Sequence, residues 1–266
     1  MSNFNNILIK NSPNVYLLDF ISQQDFEDHV LNTLKTYKSV LKSVNLNKFN
    51  DNIIDPIKLL FDKEVFNKTY KEIINLEIHR QRDKSNNNII GYFHQNIFKY
   101  IEKCKVPKEG WDIIFNSNQI TYYVEMKNKH NTMNSSSSAK TFMKMQNHLL
   151  NGDDKDISIC ALVEIIAKKS QDIPWVITLD KIKQSENERL RRISIDKFYE
   201  IVTGDKEAFK KLCLQLPITI QKLINKDNTL KVEEDTVFYE LELLDDNILI
   251  SLYKLAFSTY EGFDFI

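Results

Sequence analysis

Between residues 157 and 167 the chain reads ISICALVEIIA. A run this short and this apolar marks a strand buried on both faces. Such a strand needs a sheet covered on each side, and helices supply the cover. The flanking segments agree with that demand. Residues 24–43 place Phe26, Val30, Leu34, Tyr37 and Leu41 at helical spacing. A second helix is expected from Asp62 to about Arg82, ended by DKSNNN, and a third over 90–104. After VPKEG come strand-like segments at 111–115 and 120–127, joined by NSNQ as a hairpin turn. SAKTFMKMQNHLL then reads as a helix with Ser138 as its N-cap candidate, and Phe142, Met145 and Leu149 form its core face. Beyond the buried strand, a further strand is expected at 174–179 and helices at 195–202, 205–215 and 216–225. A strand near 236–244 and a helix near 246–257 complete the chain. This order predicts an α/β fold, a mixed central β-sheet flanked by helices, with a helical N-terminal layer. One compact domain is expected, with residues 1–75 as the helical region and 76–266 as the core carrying a C-terminal helical elaboration.

Bulk properties exclude several classes. The chain has 36 basic against 37 acidic residues, so it carries no overall basic field, and binding to nucleic acid would need a local positive groove. Cys104, Cys160 and Cys213 are far apart with no CxxC pair, which excludes a disulfide framework or a zinc knuckle. A reducing cytoplasm fits. No apolar run approaches the roughly 18 residues of a membrane span, and the N-terminus lacks a signal-peptide pattern. No membrane partner is expected.

The chemistry sits in GWDIIF (110–115) and YYVEMKNKH (122–130). In a strand, residues i and i+2 share a face, so Glu125 and Lys127 project together while Val124 and Met126 face away. Antiparallel pairing through the NSNQ turn brings Asp112 beside Glu125. Two carboxylates and an ammonium in one small volume suit phosphodiester hydrolysis. Hard oxygen ligands hold Mg²⁺, the ion lowers the pKa of a bound water, and an adjacent Lys can hold that water or contact the phosphate. The D-x12-E-x-K pattern is common by chance in a chain with 27% charged residues. The loop after it, crowded with Asn, Thr and Ser, suits contacts to phosphates and base edges.

Asp112 with Glu125-Met126-Lys127 resembles the PD-(D/E)XK nuclease core, with Trp111 where the superfamily name has Pro. EIHRQRDKSNNNIIGYFHQNIF (77–98), GWDIIF and YYVEMKNKHNTMNSSS (122–137) resemble type II restriction endonucleases of the subfamily that cleaves GGNCC or GGWCC sites. RRISIDKFYEIVTGDKEAFKKLCLQLP (191–217) is similar to their C-terminal part. The resemblance implies Mg²⁺ as cofactor, Asp112 and Glu125 as metal ligands, and Lys127 as the lysine beside the attacking water. It offers Glu77 as an additional helical carboxylate; the alternative is an ion-pair partner for Arg80 at i+3. Candidate DNA contacts are Arg80, Gln81, Arg82, Asp83 and Lys84, then Asn128, Lys129, His130, Asn131, Asn134 and Ser135. Lys129 is expected past the strand end, and His94 is expected as a packing histidine. The Arg189, Arg191 and Arg192 cluster is either a phosphate contact or a surface feature. A near-palindromic double-stranded DNA target implies a two-fold homodimer, and a restriction–modification setting implies a cognate DNA methyltransferase as functional partner. Two other readings stay open: a repair or junction nuclease on the same core, and an inactive DNA-binding protein.

Overall fold

The computed structural model describes residues 15–40, 44–51, 53–117, 119–130, 133–179, 181–227 and 235–257. The chain forms two compact units, Met1–Thr33 with Ile90–Asp227, and Leu34–Ile89 with Asn228–Ile266. Two helices, α1 (Gln23–Val40) and α4 (Tyr70–Asn96), each begin in one unit and end in the other.

The first unit is built on a six-stranded mixed sheet. Its strands are β1 (Cys104–Lys105), β2 (Ile113–Asn116), β3 (Thr121–Lys129), β4 (Ser158–Ile166), β5 (Asp172–Pro174) and β8 (Leu190–Ser194), in the order β1-β2-β3-β4-β8-β5. The hairpin β2–β3 is antiparallel, with Ile113 opposite Val124. The pairs β3–β4 and β4–β8 are parallel. A separate ribbon joins β6 (Thr178–Leu179) to β7 (Ile182–Lys183). As the apolar run demands, β4 is central and Cys160 to Glu164 are all buried. Helix α5 (Ser135–Asn151) lays Phe142, Met145 and Leu149 against Cys160, Leu162, Trp175 and Leu190. Full burial of such a side chain contributes about 1.5–3 kcal/mol. Ala161 and Val163 point to the opposite face and are equally enclosed. Helices α6 (Ile195–Thr203) and α7 (Ala208–Lys226) complete the unit, with Phe98, Phe198, Tyr199 and Phe209 in an aromatic cluster.

The second unit is helical. It holds α2 (Leu46–Asn50), α3 (Pro56–Phe66), the first part of α4, α8 (Val237–Leu244) and α9 (Ile248–Phe257). Phe49, Leu59, Ile74, Ile78, Val237, Leu241 and Leu252 share one apolar cluster. Asp55 caps α3 by accepting from the Lys58 amide at 3.0 Å, and Pro56 starts the helix. Asn67 then ends it in a left-handed conformation, φ 50°.

Several expected elements differ. The stretch DKSNNN does not break a helix: α4 runs unbroken for 27 residues. Arg82, Asn86, Ile89 and Phe93 recur on its buried side, and burial overrides the weak helix propensity of Asn and Ser. The helix from Asp62 to Arg82 is instead two helices separated by the Asn67 cap. The third helix stops at Asn96 and passes through a 3₁₀ turn, Ile97–Tyr100, into β1. Val237–Leu244 form α8 in place of the strand expected near 236–244, because Val237 and Leu241 repeat at i, i+4 and pack on helices. At 174–179 only short pieces pair; Pro174 sits on the outermost strand, where its missing N–H is tolerated. The two helices at 205–225 are one, and it contains Pro217.

Two predictions follow from buried polar groups. His94 is largely buried, Nδ1 has no partner among the described residues, and burial pushes its pKa down to about 4, with His29 adding to the shift. The unfolded chain therefore binds the proton first, and stability falls as pH drops from about 6.5 towards 4. In His94→Leu the loss of melting temperature between pH 7 and pH 5 should be smaller than in the parent by roughly 3 °C. Arg82 is buried and donates to both oxygens of Asp235, at 2.8 and 2.5 Å, while Asp235 also accepts from the Val44 amide at 2.8 Å. Arg82→Met strands that carboxylate and should cost roughly 3 kcal/mol in urea denaturation.

Candidate active site

Three local features place Asp112. Gly110, at φ +92°, supplies the left-handed turn that leads the chain into β2. The Asp112 amide donates to Val124 O at 2.9 Å, which extends the β2–β3 ladder by one step to the position opposite Glu125. Gln95, on the last turn of α4, donates to Asp112 O at 3.1 Å. The carboxylate is then tied to the neighbouring strand, because the Met126 amide donates to Asp112 Oδ2 at 2.7 Å. One oxygen is anchored and the other remains for a ligand.

Glu125 and Lys127 lie on the face of β3 that carries Tyr123, and parallel pairing sets Glu125 beside Leu162 and Lys127 beside Glu164. This is the face covered by α5. Lys127 Nζ is 3.9 Å from Glu125 Oε2. A second lysine, Lys144 of α5, meets the other oxygen, Oε1, and also donates to Gly110 O. Its ammonium lies 4.1 Å from the centroid of the Trp111 ring. Trp111 is itself held by rings of Tyr123 and His148, each 5.4 Å away. Tyr123 donates to Asp154 Oδ2 at 2.6 Å, and burial, followed by that bond, pushes its pKa up to about 12.

Beside Lys127 the same face holds a second charged group. Glu164 is 1% exposed and accepts from Arg192 Nη2, while its Oε2 lies 3.1 Å from His130 Nδ1. Arg192 also donates to His130 O at 3.3 Å. A carboxylate this deep needs a partner, and Arg192 supplies it.

Among the described residues, no three His, Cys, Asp or Glu side chains cluster as metal ligands. Asp112 and Glu125 provide hard oxygen donors, and a Mg²⁺ site commonly needs only one or two carboxylates because the ion keeps its waters. Glu125 Oε1 already accepts a cation, Lys144. The donor set therefore fits a small divalent ion.

The other candidates fall into distinct surroundings. Glu77 and Arg80 belong to the second unit, where Arg80 Nε and Nη2 donate to the two Glu77 oxygens at 2.7 and 2.5 Å. Gln81 donates to Glu77 at 3.1 Å and to Phe49 O at 3.0 Å. Arg82 is engaged by Asp235, and Asp83 is exposed. Asn128 is half-buried, and a Cβ on Gly91 would meet its Oδ1 at 3.2 Å. Lys129 belongs to β3 and pairs with Ile166, not past the strand end as expected, because β4 continues beside it. Asn134, not Ser138, caps α5, accepting from the Ser137 amide at 2.8 Å, and Ser135 begins the helix exposed. Asn131 and the Lys84 side chain lie outside the described residues. Sequence reasoning missed Lys144 and Glu164. For Glu164 there was a signal, the only charge inside an apolar run. Lys144 gave none, because its partners come from β3 and the turn before β2.

If the Glu164–Arg192 pair holds the end of this face together, removing one partner should be costly. Glu164→Ala leaves Arg192 without its counter-charge and should lower stability by about 3 kcal/mol; a chemical denaturation curve within about 0.5 kcal/mol of the parent would refute this.

Comparison with known proteins bears on the same region. The Eco47II restriction endonuclease family matches residues 18–225. The type II restriction enzyme Sau96I of Staphylococcus aureus is 30% identical over 231 residues, covering 84% of this chain and 87% of that protein. The type II restriction enzyme Eco47II of Escherichia coli is 27% identical over 215 residues, covering 79% and 89%.

Proposed function

The chain belongs to the Eco47II restriction endonuclease family, and from that membership we propose a Mg²⁺-dependent cleavage of double-stranded DNA centred on Asp112, Glu125 and Lys127. It is a type II restriction endonuclease. The finer reading is a short G/C-rich, near-palindromic site of the GGNCC kind, cut by a homodimer in a restriction–modification system. The observation that carries the reading is the β2–β3 register, which turns Asp112, Glu125 and Lys127 to one sheet face, with Asp112 Oδ2 tied to the Met126 amide.

Asp112 and Glu125 would hold the ion, which supplies a water of lowered pKa and neutralises charge on the phosphate. The chain's own groups do the rest. Asp112 keeps Oδ2 on the Met126 amide, so its free oxygen keeps one direction. Lys127, on the same face, would hold the attacking water or donate to a phosphate oxygen as charge develops. His130 is turned towards Glu164 and Arg192, which fixes the end of β3 from which the chain leaves for α5. Asn128, Lys129, Asn134 and Ser135 stand around that departure and are the nearest candidates in the chain for contacts to the duplex. Glu77 serves on this reading as the anchor of Arg80 and Gln81.

The test is cleavage of unmethylated plasmid with Mg²⁺, followed by sequencing of the fragment ends. Discrete fragments ending at one short sequence are expected; random nicking or a preference for branched DNA would point instead to a repair nuclease. Asp112→Asn, Glu125→Gln and Lys127→Ala should each lose on the order of 10³-fold in cleavage rate, equivalent to about 4 kcal/mol of transition-state stabilisation. Retarded gel migration should show that all three still bind DNA. A normal rate in Asp112→Asn would remove the assignment.

A further inference from the structure

Lys144 contacts Glu125 directly, yet neither the D-x12-E-x-K pattern nor the proposed chemistry assigns it a role. It sits on α5 between the core residues Phe142 and Met145, at the edge of the helix's buried face. Its ammonium is held from three directions at once: by Glu125 Oε1, by Gly110 O and by the face of Trp111 at 4.1 Å. A lysine side chain resists such confinement, because ordering it forfeits up to about 2 kcal/mol of rotamer entropy. Two charge-assisted hydrogen bonds, one to a carboxylate and one to a backbone carbonyl, and a cation–π contact offset that loss. The partners matter as much as the number. Gly110 and Trp111 immediately precede Asp112, and Glu125 lies opposite it, so a single ammonium ties α5 to both carboxylate-bearing segments.

The two lysines divide Glu125 between them. Lys127 approaches Oε2 at 3.9 Å, too far for a direct hydrogen bond, whereas Lys144 makes direct contact with Oε1. A divalent ion ligated by Oε1 and an ammonium bonded to the same oxygen would compete for its lone pairs and repel each other. With Lys127 and Lys144 against Asp112 and Glu125 the four side chains sum to zero formal charge. Without Lys144 they sum to −1, which draws a cation more strongly.

We propose that Lys144 is a positioning residue that competes with the divalent cation for Glu125 Oε1, so that cation binding and the departure of Lys144 from Trp111 are one coupled step. The proposal rests on the assignment of Glu125 as a metal ligand. It makes an unusual demand: deleting a side chain that braces the site should strengthen cation binding, whereas a merely structural lysine would weaken it.

The experiment is a calorimetric titration with Mn²⁺, without DNA, of the parent, Lys144→Met, Lys144→Arg and Glu125→Gln. Lys144→Met should bind on the order of tenfold more tightly than the parent, as expected for removing one nearby positive charge. Lys144→Arg, which keeps the charge, should stay near the parent. Equal or weaker binding in a folded Lys144→Met protein overturns the proposal. Glu125→Gln separates the two layers: if it binds Mn²⁺ as the parent does, the site assignment itself fails. If it loses binding while Lys144→Met does not gain it, only the role of Lys144 fails. A second readout uses Trp111 as the sole tryptophan, with Trp175→Phe removing the other of the two. Mg²⁺ should change Trp111 emission when Lys144 is present and leave it unchanged in Lys144→Met. Constant emission in the Lys144 protein, over the range where a parallel calorimetric titration with Mg²⁺ shows binding, overturns the coupling.

Discussion

Everything in the first unit hangs on the parallel pairing of β3 with β4. β4 is enclosed on both faces, so its register is tightly specified: a slip of one residue would turn Leu162 and Glu164 to the wrong side. Because Tyr123, Glu125 and Lys127 sit beside Cys160, Leu162 and Glu164, that register also sets which charges of β3 meet which neighbours. The hairpin adds Asp112 at a fixed position, and its side chain closes the arrangement by accepting from the Met126 amide. The chemistry is thus placed by the most buried strand of the sheet, which carries none of the proposed catalytic groups.

The same register imposes an electrostatic problem and its solution. One sheet face carries Asp112, Glu125 and Glu164 within a few residues of each other along three strands. Two of them are met by a cation from another element, Glu164 by Arg192 of β8 and Glu125 by Lys144 of α5, with Lys127 of its own strand more distant, while Asp112 accepts from the Met126 amide. The pair at Glu164 is the deeper, and breaking it leaves a charge without water or partner. Glu125 is more accessible, with 14% of its side chain exposed against 1% for Glu164. On the proposed reading this difference sorts the two carboxylates, the enclosed one holding the sheet face and the accessible one exchanging its partner.

How much of this was legible depended on whether a feature was local. The buried strand, the β2–β3 hairpin and the shared face of Glu125 and Lys127 all follow from period two, which short segments declare. The core face of α5 was readable at i, i+3, i+7 for the same reason. Misreadings arose where packing overrode local preference. DKSNNN looks like a breaker, but Arg82 and Asn86 face inward and the helix continues; VFYELELL has strand-like residues, but Val237 and Leu241 pack with helical period. Lys144 was invisible because its three partners come from segments 19 to 34 residues away, joined only by the tertiary fold. Arg82 looked like a groove-reading residue beside Arg80, and only the structure brings Asp235 to it.

The geometry of α5 ties these threads into one mechanical element. Ser135, beside the Asn134 cap, and Lys144 stand nine positions apart on the same uninterrupted helix, about 14 Å at 1.5 Å per residue. Phe142, Met145 and Leu149 clamp that helix to β4 and β8. Its N-terminal turn carries the serines that follow the Asn134 cap, and its middle holds Glu125 through Lys144. A helix packed in this way transmits a small shift or rotation with little bending. Anything that pulls on the loop end of α5 therefore acts on the Lys144 contact without an intervening flexible joint.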